Sequence, residues 1–423
     1  MKIEKFNING SKIAAYKVSG VRMISVSITI KAGAWYENKN QSGYFHLLEH
    51  LVLNGTNKFK SFKEVTEYKE KYGISNNAAT SGRWMEFWFD FPDIYLKESL
   101  ELIEEILFNS TINFENINNE LSIVEQEYFD SWSSPYKKFN VEISKKLAGE
   151  KCNLVNEVLG RPETFKKATQ EELKKLYKEF FRPERMCWGF SGNYKVDELK
   201  KLLKKIIPEN KEIKKVEEME IKNFEPRMDK ILFENKIEQP YIRIIWQIPA
   251  INKLPMSKRY GLNTFNYLLG DSSNSALFTK IRQDKGLVYR INSDLWDWPN
   301  VSHLEIYAST DKSKIDTVIL ESQKVLDELI NKPIDEERLK RALNYLDLKT
   351  LMSYSSPSKI AGNLAFSLLY DNDVYTPKKI IEMAHRAKIE NIQAWLKKYV
   401  DSKKQLVAVM ISNEGGQSNN YGK

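Results

Sequence analysis

Apolar and polar residues alternate near the start of the chain, with Ile24, Val26, Ile28 and Ile30 separated by Ser25, Ser27 and Thr29. A period of two predicts a half-buried strand. The same period returns at residues 84–91, where Met85, Phe87, Phe89 and Phe91 oppose Trp88 and Asp90. It recurs in the second half, where Ile242, Ile244, Trp246 and Ile248 alternate with Arg243, Ile245 and Gln247. Asn9-Gly10 predicts a tight turn between two opening strands. Helical patterns lie between these strands. One runs from about Ser42 to Asn54, and a second opens with Ser61 and Glu64 as a capping box and closes at Gly73. Others are expected near residues 93–108 and, as a long helix, from about Glu115. A helix at 170–181 then precedes a strand at 185–192. The chain closes in the same way, with a helix at 389–400 before a strand at 405–412, so that Leu173, Leu176 and Phe180 are echoed by Ile392, Trp395 and Tyr399.

Strands mixed with several helices predict an α+β protein of two domains similar in size. The charged, proline-flanked segment from Pro208 to Arg227 reads as a linker. The expected division is therefore a first domain at 1–207, a linker at 208–228, a second domain at 229–412 and a disordered tail at 413–423.

Composition narrows the class without naming a chemistry. Among 423 residues, 42% are hydrophobic and 29% charged, which fits a globular protein. No apolar run reaches the roughly 18 residues of a membrane span, and the N-terminal segment lacks a secretory core, so the cytoplasm is the expected location. The formal charge of +8 comes from 65 basic and 57 acidic side chains that are interspersed. No basic block interleaves with aromatics, so nucleic acid is not an expected partner. Cys152 and Cys187 are too few for a disulfide framework.

Histidine carries the chemistry. Only four are present, and two of them stand in His46-Leu47-Leu48-Glu49-His50, an H-x-x-E-H pattern. On a helix, positions 46, 49 and 50 share one face, because residues three and four apart are neighbours there. Two imidazoles one turn apart can bind one metal, and zinc suits a set of two histidines and a carboxylate. The long helix offers Glu120, Glu125 and Glu127. Glu120 and Glu127 share a face at nearly two turns, whereas Glu125 points away. That pair suits one metal ligand and one carboxylate orienting a ligand histidine.

These motifs resemble the pitrilysin/insulinase family of zinc peptidases. The family places a glutamate ligand 76 residues beyond H-x-x-E-H, with another acid seven residues earlier. Here the spacer is 127 − 50 − 1 = 76 and Glu120 holds the earlier position, so the resemblance selects Glu127 as the ligand. The segment LVLNGT after His50 is similar as well, although Phe45 stands where the family usually has a small residue. In the second half, Arg282 and Tyr289, after GDSSNSALFTK, resemble the family's substrate-contacting arginine–tyrosine pair. Asn77, Ala78, Ala79 and Thr80 resemble its substrate-binding edge strand.

The resemblance implies two homologous domains, each a mostly antiparallel sheet packed with helices, and a zinc-dependent peptidase with Glu49 as general base. It further implies a partner to complete a chamber for peptides or unfolded segments, with a homodimer expected because one chain carries both motifs. Two alternatives stand beside this: a leader-peptide maturation protease working with a related subunit, and a non-catalytic peptide-binding subunit.

Overall fold

In the computed structural model, residues 2–115, 117–209, 216 and 219–413 are described. Residues 210–215, 217 and 218 of the expected linker and 414–423 of the expected tail lie outside them. The chain forms two compact units: Met1–Ser131 with Asn156–Lys222 and Leu351–Pro377, and Trp132–Val155 with Asn223–Thr350 and Lys378–Lys423.

The first unit is built on six strands: β1 (Ile3–Ile8), β2 (Ser11–Lys17), β3 (Met23–Ile30), β4 (Ser75–Thr80), β5 (Met85–Pro92) and β6 (Met186–Gly192). Asn9 and Gly10 take φ of 51° and 93°, the left-handed values that a two-residue turn between β1 and β2 requires. The sheet order is β1-β2-β6-β3-β5-β4. Only β2 and β6 pair in parallel among these neighbours. The expected alternation holds in β5, where Met85, Phe87, Phe89 and Phe91 are buried against one face, but β3 is not the half-buried strand expected, because Ser25, Ser27 and Thr29 are buried as well. The helices of this unit include α1 (Tyr44–Leu51), α2 (Phe62–Tyr72), α3 (Leu96–Phe108) and α4 (Ile117–Ser133). Ser61 caps α2 and Gly73 ends it in the left-handed conformation, as the sequence predicts, but Glu64 accepts from the Lys60 N–H, so the reciprocal half of the expected capping box is not made.

The second unit carries β7 (Lys230–Asn235), β8 (Tyr241–Pro249), β9 (Arg290–Asp297), β10 (Val301–Ser309) and β11 (Gln405–Ser412) in the order β7-β11-β8-β10-β9. Again a single pair, here β7 with β11, is parallel. This repeats the run β2-β6-β3-β5-β4, so the two sheets share one topology and the fold is two homologous α+β domains.

Each unit takes in a helix that a linear division of the sequence would give to the other half. In the first, Pro357–Asp371 packs on the outer sheet face, burying Ile360, Leu364 and Leu368 with Ala14 and Cys187. The approach is close enough that a Cβ on Gly189 would lie 1.9 Å from the Ala361 carbonyl oxygen, so only glycine fits. In the second, α5 (Pro135–Ala148) sets Phe139 against Phe233 and Tyr241, and Asn140 accepts a 2.6 Å hydrogen bond from Arg243. The cause is common to both: each sheet carries apolar or aromatic side chains on its second face as well, Ala14 and Cys187 in one and Phe233 and Tyr241 in the other, and these are withdrawn from water only under a second layer. Within the expected linker, Glu225 and Arg227 donate backbone hydrogen bonds to the carbonyls of Ala148 and Lys146, tying that stretch to the end of α5.

Candidate metal centre

Helix α1 is apolar on nearly every side. Tyr44, Phe45, Leu47, Leu48 and Leu51 are all buried, which draws the helix into the core of the first unit and His46 with it. Phe45 packs edge-on against Phe180, with ring centroids 4.8 Å apart, and so occupies space that a small residue would leave open.

Helix α4 faces α1 through its acidic side. His46 Nε2 lies 3.3 Å from Glu127 Oε2, and His50 Nε2 lies 3.8 Å from the same oxygen. The three candidate ligand atoms all fall within 4.8 Å of one another. Zinc bonds of about 2.1 Å in a tetrahedron separate ligand atoms by about 3.4 Å, so the donor set fits the metal in chemistry, and its two distances to Glu127 lie near that spacing. Glu120 is placed differently: its Oε2 lies 3.3 Å from His50 Nδ1, the nitrogen turned away from Glu127. A carboxylate at that position suits the orienting of a ligand histidine. His46 Nδ1 has no such partner among the described residues. Glu125 points elsewhere and pairs with Lys166 at 2.5 Å.

The electrostatics follow the packing. Burial, with His50 nearby, lowers His46 to about 4, which leaves a neutral imidazole available to a cation. Burial also lowers His50, but the Glu120 hydrogen bond and the charges of Glu127 and Glu49 outweigh it and raise the net value. The His50 hydrogen bond holds Glu120 below its ordinary value. Burial raises Glu49, opposed by a hydrogen bond from Thr80.

That last contact joins the centre to the sheet edge. Thr80 Oγ1 donates to Glu49 Oε2 at 2.5 Å, and β4 ends the sheet with β5 as its neighbour. Along β4, Ala78 and Thr80 lie on the face toward the core and α1, whereas Asn77 and Ala79 alternate to the other. Arg282 and Tyr289 belong to the second unit. The Arg282 guanidinium lies 4.7 Å from the Phe278 ring centroid, and the Tyr289 hydroxyl, on a side chain of a residue 53% exposed, donates to Asp311 Oδ1 at 3.0 Å. The remaining histidines are elsewhere: His385 pairs with Asp347, and His303 is buried against Trp296 and Trp298.

Two partners escaped the sequence reading. The Thr80–Glu49 bond joins residues far apart in the chain, and nothing local announces it. Glu37 is buried and bonded to the start of α1; an isolated acid in a loop ordinarily reads as solvated.

Residues 12–159 match the family model described as insulinase, peptidase family M16, and residues 167–346 match that described as the peptidase M16 inactive domain. The chain belongs to peptidase family M16. Within this M16 chain, His46, Glu49, His50, Glu120 and Glu127 all fall in the first match, and Arg282 and Tyr289 fall in the second. Among curated relatives, an uncharacterized zinc protease of Bacillus subtilis, YmxG, is 24% identical over 84% of this chain and 85% of its own. An Arabidopsis thaliana protein named as a probable mitochondrial-processing peptidase beta subunit is 24% identical over 47% of this chain and 37% of its own. Among solved structures, a protease from Helicobacter pylori superposes with a TM-score of 0.84 at 19% identity, covering 97% of this chain and 99% of that one. A Pseudomonas fluorescens peptidase M16 inactive domain also reaches 0.84, at 15% identity, over 99% and 100%. At such identities the two structures show the shared fold. No helix of the described residues is long and apolar enough to cross a membrane.

Proposed function

We propose that this M16 chain is a zinc endopeptidase for peptides or unfolded segments, with His46, His50 and Glu127 holding the metal and Glu49 as general base. The observation that carries the reading is the convergence of two imidazole Nε2 atoms on the Glu127 carboxylate, with Glu49 beside them and bonded to an edge strand. Zinc held there supplies Lewis acidity and lowers the pKa of a water toward about 7. The protein's own groups do the rest. Thr80 holds one Glu49 oxygen, and the other takes a proton from the attacking water and returns it to the leaving amine. Burial raises the Glu49 carboxyl, the direction that makes it a stronger base. Glu120 keeps His50 turned toward the metal position. The free side of β4, at Asn77, Ala78, Ala79 and Thr80, binds an extended peptide by strand addition, through backbone hydrogen bonds that depend little on sequence.

Arg282 and Tyr289 are assigned to contact substrate near the cleaved bond, and the working form is a homodimer enclosing a peptide chamber. Both assignments rest on the family resemblance.

The test is hydrolysis of a mixed peptide library by the zinc-loaded chain, with Glu49→Gln as control. Cleavage by the wild type alone, with zinc retained in both, supports the reading; absence of stoichiometric zinc from the wild type overturns it. The inactive-domain match over 167–346 favours a second reading, a peptide-binding subunit without catalysis. That reading expects bound zinc and bound peptide but no cleavage, with or without a related subunit added.

A further inference from the structure

Helix α1 has only eight residues and is preceded at its N-cap by Gly43, a residue with no side chain to cap it. The first N–H groups of a helix lack intrahelical partners, and so short a helix is not stable alone. Glu37 supplies what is missing. Its Oε2 accepts from the Gly43 N–H and its Oε1 from the Phe45 N–H, both at 2.9 Å, on a residue only 4% exposed. The Asn156 amide donates to the carbonyls of Ala34, at 3.1 Å, and Glu37, at 2.9 Å, which anchors the loop from which Glu37 reaches. Burial pushes the Glu37 carboxyl up to about 8 against the pull of the backbone N–H groups it accepts. Placing a carboxyl there is costly, and the two bonds it makes go to the turn that carries the metal motif.

We propose that Glu37 is a positioning residue for the metal centre, clamping the first turn of α1 at the rotation that lets His46 and His50 meet Glu127. The inference rests on the zinc reading above. Phe45, whose N–H is clamped, immediately precedes His46. A rotation of α1 by about 10° would move atoms at a side-chain radius of 5–6 Å by roughly 1 Å. Metal–ligand distances tolerate about 0.2 Å. A small loss of clamping is therefore felt at the metal before it is felt in the fold.

The test compares wild type, Glu37→Gln and Glu37→Asp in three measurements: zinc affinity by chelator competition, residue-resolved amide exchange in the zinc-free chains, and thermal unfolding. Gln turns one acceptor into an NH2 that faces a backbone N–H, whereas Asp keeps both acceptors on a shorter stem. The expected result is a folded Glu37→Gln chain with faster exchange at Gly43 and Phe45 and about tenfold weaker zinc binding, a difference of about 1.4 kcal/mol. Glu37→Asp should recover part of both. A folded Glu37→Gln chain with zinc affinity within twofold of wild type overturns the proposal, as does unchanged exchange at those amides. Should Glu37→Gln fail to fold, Asn156→Ala, which frees the loop and keeps the carboxylate, is expected to weaken zinc severalfold; unchanged affinity there overturns the proposal. If the wild type itself binds no zinc, the metal reading falls, and the exchange comparison still decides whether Glu37 clamps the helix.

Discussion

Replacing Glu120 by Ala removes a carboxylate that touches no metal position and so isolates what orientation contributes to binding. Its Oε2 sits 3.3 Å from His50 Nδ1, with both side chains mostly withdrawn from water at 18% and 19% exposure. A bare ion pair at that distance would be worth about 5 kcal/mol at an effective dielectric of 20, which is an upper limit because desolvation opposes it. A hydrogen bond involving a charged group contributes a net 1.5–3 kcal/mol or so, which corresponds to roughly 10–150-fold. Outer partners of metal-bound histidines cost about 10–100-fold when removed, so the two routes agree. Glu120→Ala is thus expected to weaken zinc by about 10–100-fold, and Glu120→Gln, which keeps an acceptor and loses the charge, by about fivefold. Glu125→Ala is the control, because Glu125 bonds Lys166 instead. The assay is chelator competition at one fixed pH. Glu120→Ala binding within twofold of wild type would refute the orienting role.

Thr80→Val should leave zinc content unchanged and lower kcat by about tenfold through loss of a hydrogen bond to a charged group, with Thr80→Ser restoring it; equal kcat for Val and wild type would break the link to Glu49. His303, lowered to about 3 by burial and then by Arg243, binds fewer protons folded than unfolded between about pH 3 and 6.5. The stability it permits is therefore present above 6.5 and lost as pH falls through that window. His303→Phe should flatten the fall of the urea midpoint of the second unit between pH 6.5 and 4, and an unchanged slope counts against it. Phe45→Ala opens a cavity beside Phe180 and should destabilise the first unit by about 3–5 kcal/mol in denaturant titration. A loss under 1 kcal/mol would mean that the site collapses around it.

How much of this was legible in advance varies with the distance over which each feature acts. The strands at Ile24–Ile30 and Met85–Phe91, the Asn9-Gly10 turn and the Ser61 and Gly73 caps were readable because each depends on neighbours within a few residues. The same holds inside the centre: His46, Glu49 and His50 share a face, as do Glu120 and Glu127, by helix geometry alone. The resemblance chose between the glutamates; the structure sets Glu127 between the imidazoles and Glu120 behind His50.

Other features are settled by the tertiary structure alone. The buried stripe of α5, with Phe139, Ile143 and Leu147, announces an amphipathic helix but not which sheet it covers, and the helix Pro357–Asp371 is equally silent on Gly189. Glu37 and Thr80 have ordinary sequence surroundings, and their roles come from burial and from partners brought in by the fold. Periodicity is a local property of the backbone and can be read along the chain. Which apolar face meets which, and which carboxylate is thereby sealed from water, depends on a free energy summed over residues far apart in sequence, and only the packed chain expresses it.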